Sequence, residues 1–177
     1  VSLRDRMTAL IQREAEHARN GTHARIVAKM NSLIDPAIIA ELYRASQAGV
    51  QVDLIVRGMC CLRPGVPGVS DNIRVMSIVG RFLEHSRIFY FHNAGAEEIF
   101  IGSADWMQRN LDRRVEAVVP IEDPAIAIDL QEILGVLLAD NRQAWDLHPD
   151  GHYVQRHPTS DSPEQSAQKI LLEMARG

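Results

Sequence analysis

Two apolar runs, RIVAKM at 25–30 and VQVDLIV at 50–56, enclose a segment that carries both punctuation marks of a helix. Asp35-Pro36 supplies an N-cap followed by proline at the first helical position, and Gly49 closes the segment after Ala48. A strand, a helix and a second strand within about thirty residues make a crossover unit. Such a unit joins two parallel strands with a right-handed connection. Parallel strands are buried on both faces, so further helices must cover the sheet. This feature points to the α/β class.

The rest of the chain fits that frame. Leu3, Met7, Leu10, Ile11 and Ala18 recur at three-to-four spacing, which predicts a helix over 3–19 ended by Asn20-Gly21. Pro64, Gly65, Pro67 and Gly68 mark 57–72 as a loop. Short strands are expected at 73–78, 88–91, 98–101 and 115–121. Asp123-Pro124 repeats the cap-and-proline device and predicts a long helix to about residue 145. A turn at Pro149-Asp150-Gly151, a strand over 153–156, a linker over 158–163 and a last helix over 162–175 complete the reading. The fold class is α/β, a mixed β-sheet flanked by helices. A length of 177 residues holds one domain with a real core, here 1–156, and leaves 157–177 as a tail.

A net charge of −4 provides no bulk attraction to nucleic acid or anionic lipid. No run of about 18 apolar residues offers a membrane span, and no signal-peptide pattern is present. A cytoplasmic location is expected, with membrane association left open, and the start at Val1 reads as a piece of something longer. Cys60 and Cys61 are the only cysteines. Adjacent thiols are poorly placed to bridge each other or share a metal, which points to a reducing compartment. Of 19 basic residues, 17 are arginine, the exceptions being Lys29 and Lys169. Codon usage in a GC-rich genome explains such a bias as well as function does, yet the planar guanidinium fork suits phosphate and carboxylate.

Ligands of open α/β sheets bind outside the carboxyl ends of the strands. Lys29 and Asn31 stand at the end of the first strand, and Arg57 ends the second. In GRFLEHSRIFYFHN, residues 80–93, His85 and Arg87 lie two apart at the mouth of a strand, where alternation would send both side chains to one face. An imidazole among guanidinium groups can move a proton or attack phosphorus while the arginines neutralise oxygens, an outline of phosphoryl transfer. Ser103 and Asp105 in IGSADW, followed by Arg109, Arg113 and Arg114, form a second polar group. His92, His148, His152 and His157 lack the spacing and carboxylate company of a zinc site, so no metal site is expected in this chain.

The blocks ARIVAKMNSLIDPAIIAELYRASQAGVQVDLIVRGMCCLRPGVPGVSDNIRVMSIVGRFLEHSRIFYF, IGSADWMQRNLDRRVEAVVPIEDP and LLADNRQAW closely resemble the carboxyl-terminal domain of bacterial polyphosphate kinase, the long-chain, histidine-phosphorylating type. The resemblance covers roughly residues 3–156. It implies a phospholipase D-like half and reversible transfer of the terminal phosphate of ATP to polyphosphate, with magnesium, through a phosphohistidine. It places a nucleotide-contacting arginine on Arg57 and a second active-site histidine on His85, which serves catalysis and nucleotide binding together. The phosphorylated histidine and the magnesium-holding arginines would belong to a preceding domain, so the fragment alone is expected to be inactive. The resemblance also implies ATP or ADP and polyphosphate as partners, the preceding domains of the same polypeptide, and a homo-oligomer at full length.

Of the phospholipase D pattern H-x-K-x4-D followed by G-S-x-N, His85 takes the histidine place, Arg87 the lysine, His92 the aspartate and Asp105 the asparagine. Loss of lysine and aspartate argues against diester hydrolysis. Lys29, Asn31, Arg87, Ser103 and Arg113 are expected phosphate or polyphosphate contacts, from charge and position. Two other functions compete: a phospholipase D-like phosphodiesterase acting as a dimer, and a polyanion-binding module without turnover.

Overall fold

The computed structural model describes residues 2–176. Helix α1 (Leu3–Arg19) precedes the crossover unit of β1 (Arg25–Met30), α2 (Pro36–Gln47) and β2 (Gln51–Val56). Strands β3 (Ile73–Ile78), β4 (Ile88–Phe91) and β5 (Glu98–Gly102) follow, then α3 (Gln108–Arg113) and β6 (Val118–Pro120). The chain ends with α4 (Pro124–Leu138), β7 (Ala144–Leu147), β8 (Tyr153–Gln155) and α5 (Ala167–Met174). All strands join one sheet in the order β6-β5-β4-β1-β2-β3-β7-β8. Strands β1, β2 and β3 are mutually parallel, and every other pairing is antiparallel.

Alternation along β1 divides the interior in two. Ile26, Ala28 and Met30 join Met7, Leu10 and Ile11 of α1 and Ile38 and Leu42 of α2 in one core. Val27, with Ile55 and Met76, faces Leu134 and Leu137 of α4 and Ala167 of α5 in the other. Period-two geometry puts Lys29 on this second face. Asp35 caps α2 as expected, accepting from the N–H of Ala37 at 3.1 Å and of Ile38 at 3.0 Å.

The order of strands has one topological result that shapes the site. Strand β3 leaves the sheet on the far side of β2, whereas β4 enters beside β1, with Ile88 opposite Lys29. The nine residues 79–87 therefore run across the carboxyl ends of β2 and β1. Three strand spacings are about 14 Å, and nine extended residues reach roughly 30 Å, so this strap has slack.

Three elements differ from expectation. The helix predicted to run to about residue 145 ends at Leu138, and Trp145 lies in β7 opposite Ser77. Asp140 is the reason: its Oδ1 accepts from the N–H of Arg142 at 2.9 Å, Gln143 at 2.6 Å and Ala144 at 2.9 Å. Arg156 meanwhile donates to the carbonyls of Leu138 at 2.9 Å and Asp140 at 3.1 Å, satisfying the helix end. The strand predicted over 115–121 shrinks to Val118–Pro120, because the Ala117 N–H is taken by the Ser103 hydroxyl at 3.1 Å. Helix α3 was not expected at all.

The segment 157–177, read as a tail, folds back onto the domain as far as it is described. The Ala167 N–H donates to Asp140 Oδ2 at 2.7 Å, the Asn141 side chain engages Ser162 and Pro163, and Ala167 and Gln168 are buried.

Candidate functional site

The carboxyl ends of β1 and β2 lie side by side, with Met30 opposite Val56, so Asn31 and Arg57 leave the sheet as neighbours. The Gly58 N–H donates to the Asn31 carbonyl at 2.7 Å. A side chain at position 58 would meet that same carbonyl at 2.7 Å, so glycine lets the two exits close up. Arg57 Nε donates to Asn31 Oδ1 at 2.6 Å, and its Nη2 reaches His85 Nδ1 at 3.2 Å. A guanidinium only donates, so Nδ1 is the acceptor and Nε2 carries the proton of a neutral ring. His85 is exposed, and that N–H is free to serve a ligand.

Asp105 organises the layer beneath. Its carboxylate, buried to 6% exposure, accepts from the Asn31 N–H at 2.7 Å and the Asn31 Nδ2 at 3.1 Å. It also accepts from Arg87 Nε at 3.2 Å. Arg87 Nη1 then donates to the His85 carbonyl at 3.0 Å. A chain of contacts thus runs from the imidazole through Arg57, Asn31, Asp105 and Arg87 back to the backbone of His85. Residues 85–87 precede the first residue of β4, so strand alternation does not govern them. Arg87 turns to Asp105, and Arg57 from another strand is the guanidinium that meets the ring.

Lys29 is buried at 1% exposure with its Nζ 3.2 Å from Glu84 Oε2 and 3.3 Å from the Ser86 carbonyl. Burial pushes its pKa below the ordinary lysine value, and Glu84 opposes that shift. Lys29 therefore braces the strap instead of facing solvent.

The structure brings together Arg57, His85, Asn31, Arg87 and Lys29. Ser103 stands apart: its hydroxyl accepts from the Ala117 N–H and donates to Glu116, fastening β5 to β6. Arg113 is exposed on α3 and lines a separate groove of about 540 Å³ with Ile34, Met107, Gln108, Arg109 and Asp112. Among the described residues, no hydrogen bond or ion pair joins Arg113 to the His85 network. A smaller cleft of about 230 Å³ opens beside Arg57, lined by Gly58, Ser77, Val79, Trp145 and Tyr153.

Magnesium wants several free oxygen ligands in an octahedron. The carboxylates here are engaged, Glu84 by Lys29 and Gln168 and Asp105 by Asn31 and Arg87, so these residues do not fit the ion. Among the described residues no group of three or more His, Cys, Asp or Glu is arranged to hold a metal.

A mixed sheet between helical layers, with an imidazole over the strand exits, places the molecule in the phospholipase D-like fold class. Nuc from Salmonella typhimurium, a phospholipase D family member, superposes with a TM-score of 0.54 at 18% identity, over 76% of this chain and 88% of its own. That likeness concerns the fold alone. The chain belongs to the polyphosphate kinase C-terminal domain 2 family, which it matches over residues 1–168. It is 68% identical over 175 residues to a polyphosphate kinase of Synechocystis sp., covering 99% of this chain and 24% of that relative. The crystal structure of polyphosphate kinase from Porphyromonas gingivalis matches with a TM-score of 0.94 and 44% identity, over 99% of this chain and 27% of that one. The chain thus spans about a quarter of the length of the curated relatives it matches. Both kinds of match run past residue 156 into the segment read as a tail.

Proposed function

We propose that this chain supplies one side of a polyphosphate kinase active site, which transfers the γ-phosphate of ATP reversibly to polyphosphate. The observation that carries the reading is the 3.2 Å contact between Arg57 Nη2 and His85 Nδ1 at the carboxyl ends of the strands. It fixes a cation and a proton donor within one phosphate's reach. Arg57 holds nucleotide phosphate oxygens, the rest of its fork being open beyond Asn31 and His85. His85 presents its Nε2 proton to an oxygen of the transferring or leaving phosphate as hydrogen-bond donor to developing charge; general-acid action would first need a second proton on Nδ1, which the donor-only Arg57 opposes. The attacking histidine, which breaks the bond to the leaving ADP oxygen and becomes phosphorylated, is supplied by a preceding domain, together with the groups that hold magnesium.

The diesterase reading is weaker at the aspartate place of its pattern, which His92 occupies. His92 lies beyond the end of β4 that is remote from the strap, where its Nδ1 meets the Tyr90 hydroxyl at 3.1 Å and its ring abuts His23. The deciding experiment is ATP-dependent polyphosphate synthesis by the full-length parent, wild type against His85→Ala. A loss of roughly 100- to 1,000-fold in kcat is expected on removing a hydrogen-bond donor to developing charge. An unchanged rate, or diester cleavage by the chain itself, would overturn the reading.

A further inference from the structure

The strap that carries His85 has almost no apolar anchor, since Val79, Phe82 and Leu83 are exposed at 65%, 47% and 71%. Its hold comes from elsewhere. Gln168, near the start of α5 and 5% exposed, faces the strap with its whole amide. Its Oε1 accepts from the Phe82 N–H at 3.0 Å, and its Nε2 donates to the Phe82 carbonyl at 2.8 Å. The pair of bonds mimics one rung of a β-ladder. The same Nε2 donates to Glu84 Oε1 at 2.8 Å, and the other oxygen of Glu84 is the one that meets Lys29. With Lys29 on the Ser86 carbonyl, residues 82, 84 and 86 are each fastened from outside the strap.

We propose that Gln168 is a positioning residue for His85: its amide sets the path of the strap, and the strap's path sets where the imidazole stands against Arg57. The inference rests on the role given to His85 above. Gly80 sits where any side chain would run into the Gln168 Oε1 atom and come within 2.7 Å of Gln143 Nε2. The clasp and the glycine are thus one device. Arg57 is fixed separately, through Asn31 and Asp105. Releasing the clasp should therefore move the ring and leave the nucleotide's cation in place.

The test uses the full-length parent enzyme with Gln168→Ala, the isosteric Gln168→Glu, Gly80→Ala and the Gly80→Ala, Gln168→Ala double variant. In Gln168→Glu a carboxylate replaces the amide's donor and faces the Phe82 carbonyl and Glu84. A displacement of about 1 Å at a reacting group costs up to 100-fold, so both single changes at 168 should lower kcat about 10- to 100-fold. The KM for ATP should stay within about twofold, because the loss lies in the transition state. Gly80→Ala should lower kcat in the wild-type background and cost much less once Gln168 is alanine. Wild-type kcat in Gln168→Glu, strictly additive losses with Gly80→Ala, or a rise in KM without a fall in kcat would overturn the proposal. The two readings fail separately. If His85→Ala keeps full synthesis, the role of His85 falls; if His85→Ala abolishes synthesis while Gln168→Glu keeps full kcat, the clasp alone falls.

Discussion

Asp105 shows how much one buried side chain can arrange. A carboxylate at 6% exposure persists only when its oxygens are answered, and here a backbone amide, a side-chain amide and a guanidinium answer them. The result is an anchored Asn31 and, through it, an aimed Arg57. Strand-end position and charge pointed to Lys29, Asn31, Arg57 and His85 in the sequence, because exits of parallel strands are where such groups gather. The same reasoning also named Ser103 and Arg113, which the fold holds apart from that cluster, Ser103 bonded to residues 116 and 117 and Arg113 on an exposed helix. Gln168 left no signal, since it lies 84 positions from Glu84 in a polar stretch. The two cysteines separate by environment. Burial pushes the Cys60 thiol up to about 11, whereas Cys61 is exposed. A raised acid pKa means that the neutral thiol is favoured in the fold. Its stabilising effect is whole below the ordinary thiol value of 9.0 and fades as pH climbs toward about 11. Iodoacetamide at pH 8 is expected to label Cys61 while Cys60 stays unmodified, read by peptide mass spectrometry; equal labelling of both would contradict this environment.

Elements were legible where a period or a cap governs them. The crossover unit β1-α2-β2 is written in its apolar runs, in Asp35-Pro36 and in Gly49. The boundary between α4 and β7 is not, because Asp140-Asn141-Arg142-Gln143 contains neither glycine nor proline, and a side chain, not a breaker, ends the helix. Asp140 is that side chain: fully buried, it accepts from Arg142, Gln143 and Ala144 with one oxygen and from Ala167 with the other. It holds the end of α4, the start of β7 and the start of α5 at a single point. Asp140→Ala strands those amides, of which Ala144 and Ala167 are buried, and each unsatisfied buried group costs about 1–3 kcal/mol. With partial rehydration, a destabilisation of about 2–4 kcal/mol is expected. Urea unfolding should report it as a lower midpoint with an unchanged slope. A midpoint equal to wild type would mean that the turn stands without its carboxylate.

At the scale of the molecule, both faces of the sheet are covered and the carboxyl ends of its central strands carry the candidate site, while the function proposed above puts the attacking histidine outside this chain. The isolated chain is therefore expected to show no ATP-dependent polyphosphate synthesis. A full-length protein that adds the remaining three quarters of the relatives' length should show it in the same malachite-green or luciferase assay. Turnover by the isolated chain would mean that the nucleophile lies here after all. The strap has a consequence of its own. It is an arch with feet at Ile78 and Ile88, and the straight route between those feet needs only about half of its length. The surplus is the detour that brings Phe82 and Glu84 out to Gln168. Inserted residues would heighten the arch and leave both ladders in register, whereas deletions would consume the detour before they strained the sheet. Length variation among descendants of this domain should accordingly be one-sided, with longer arches tolerated and shorter ones dislodging the imidazole first.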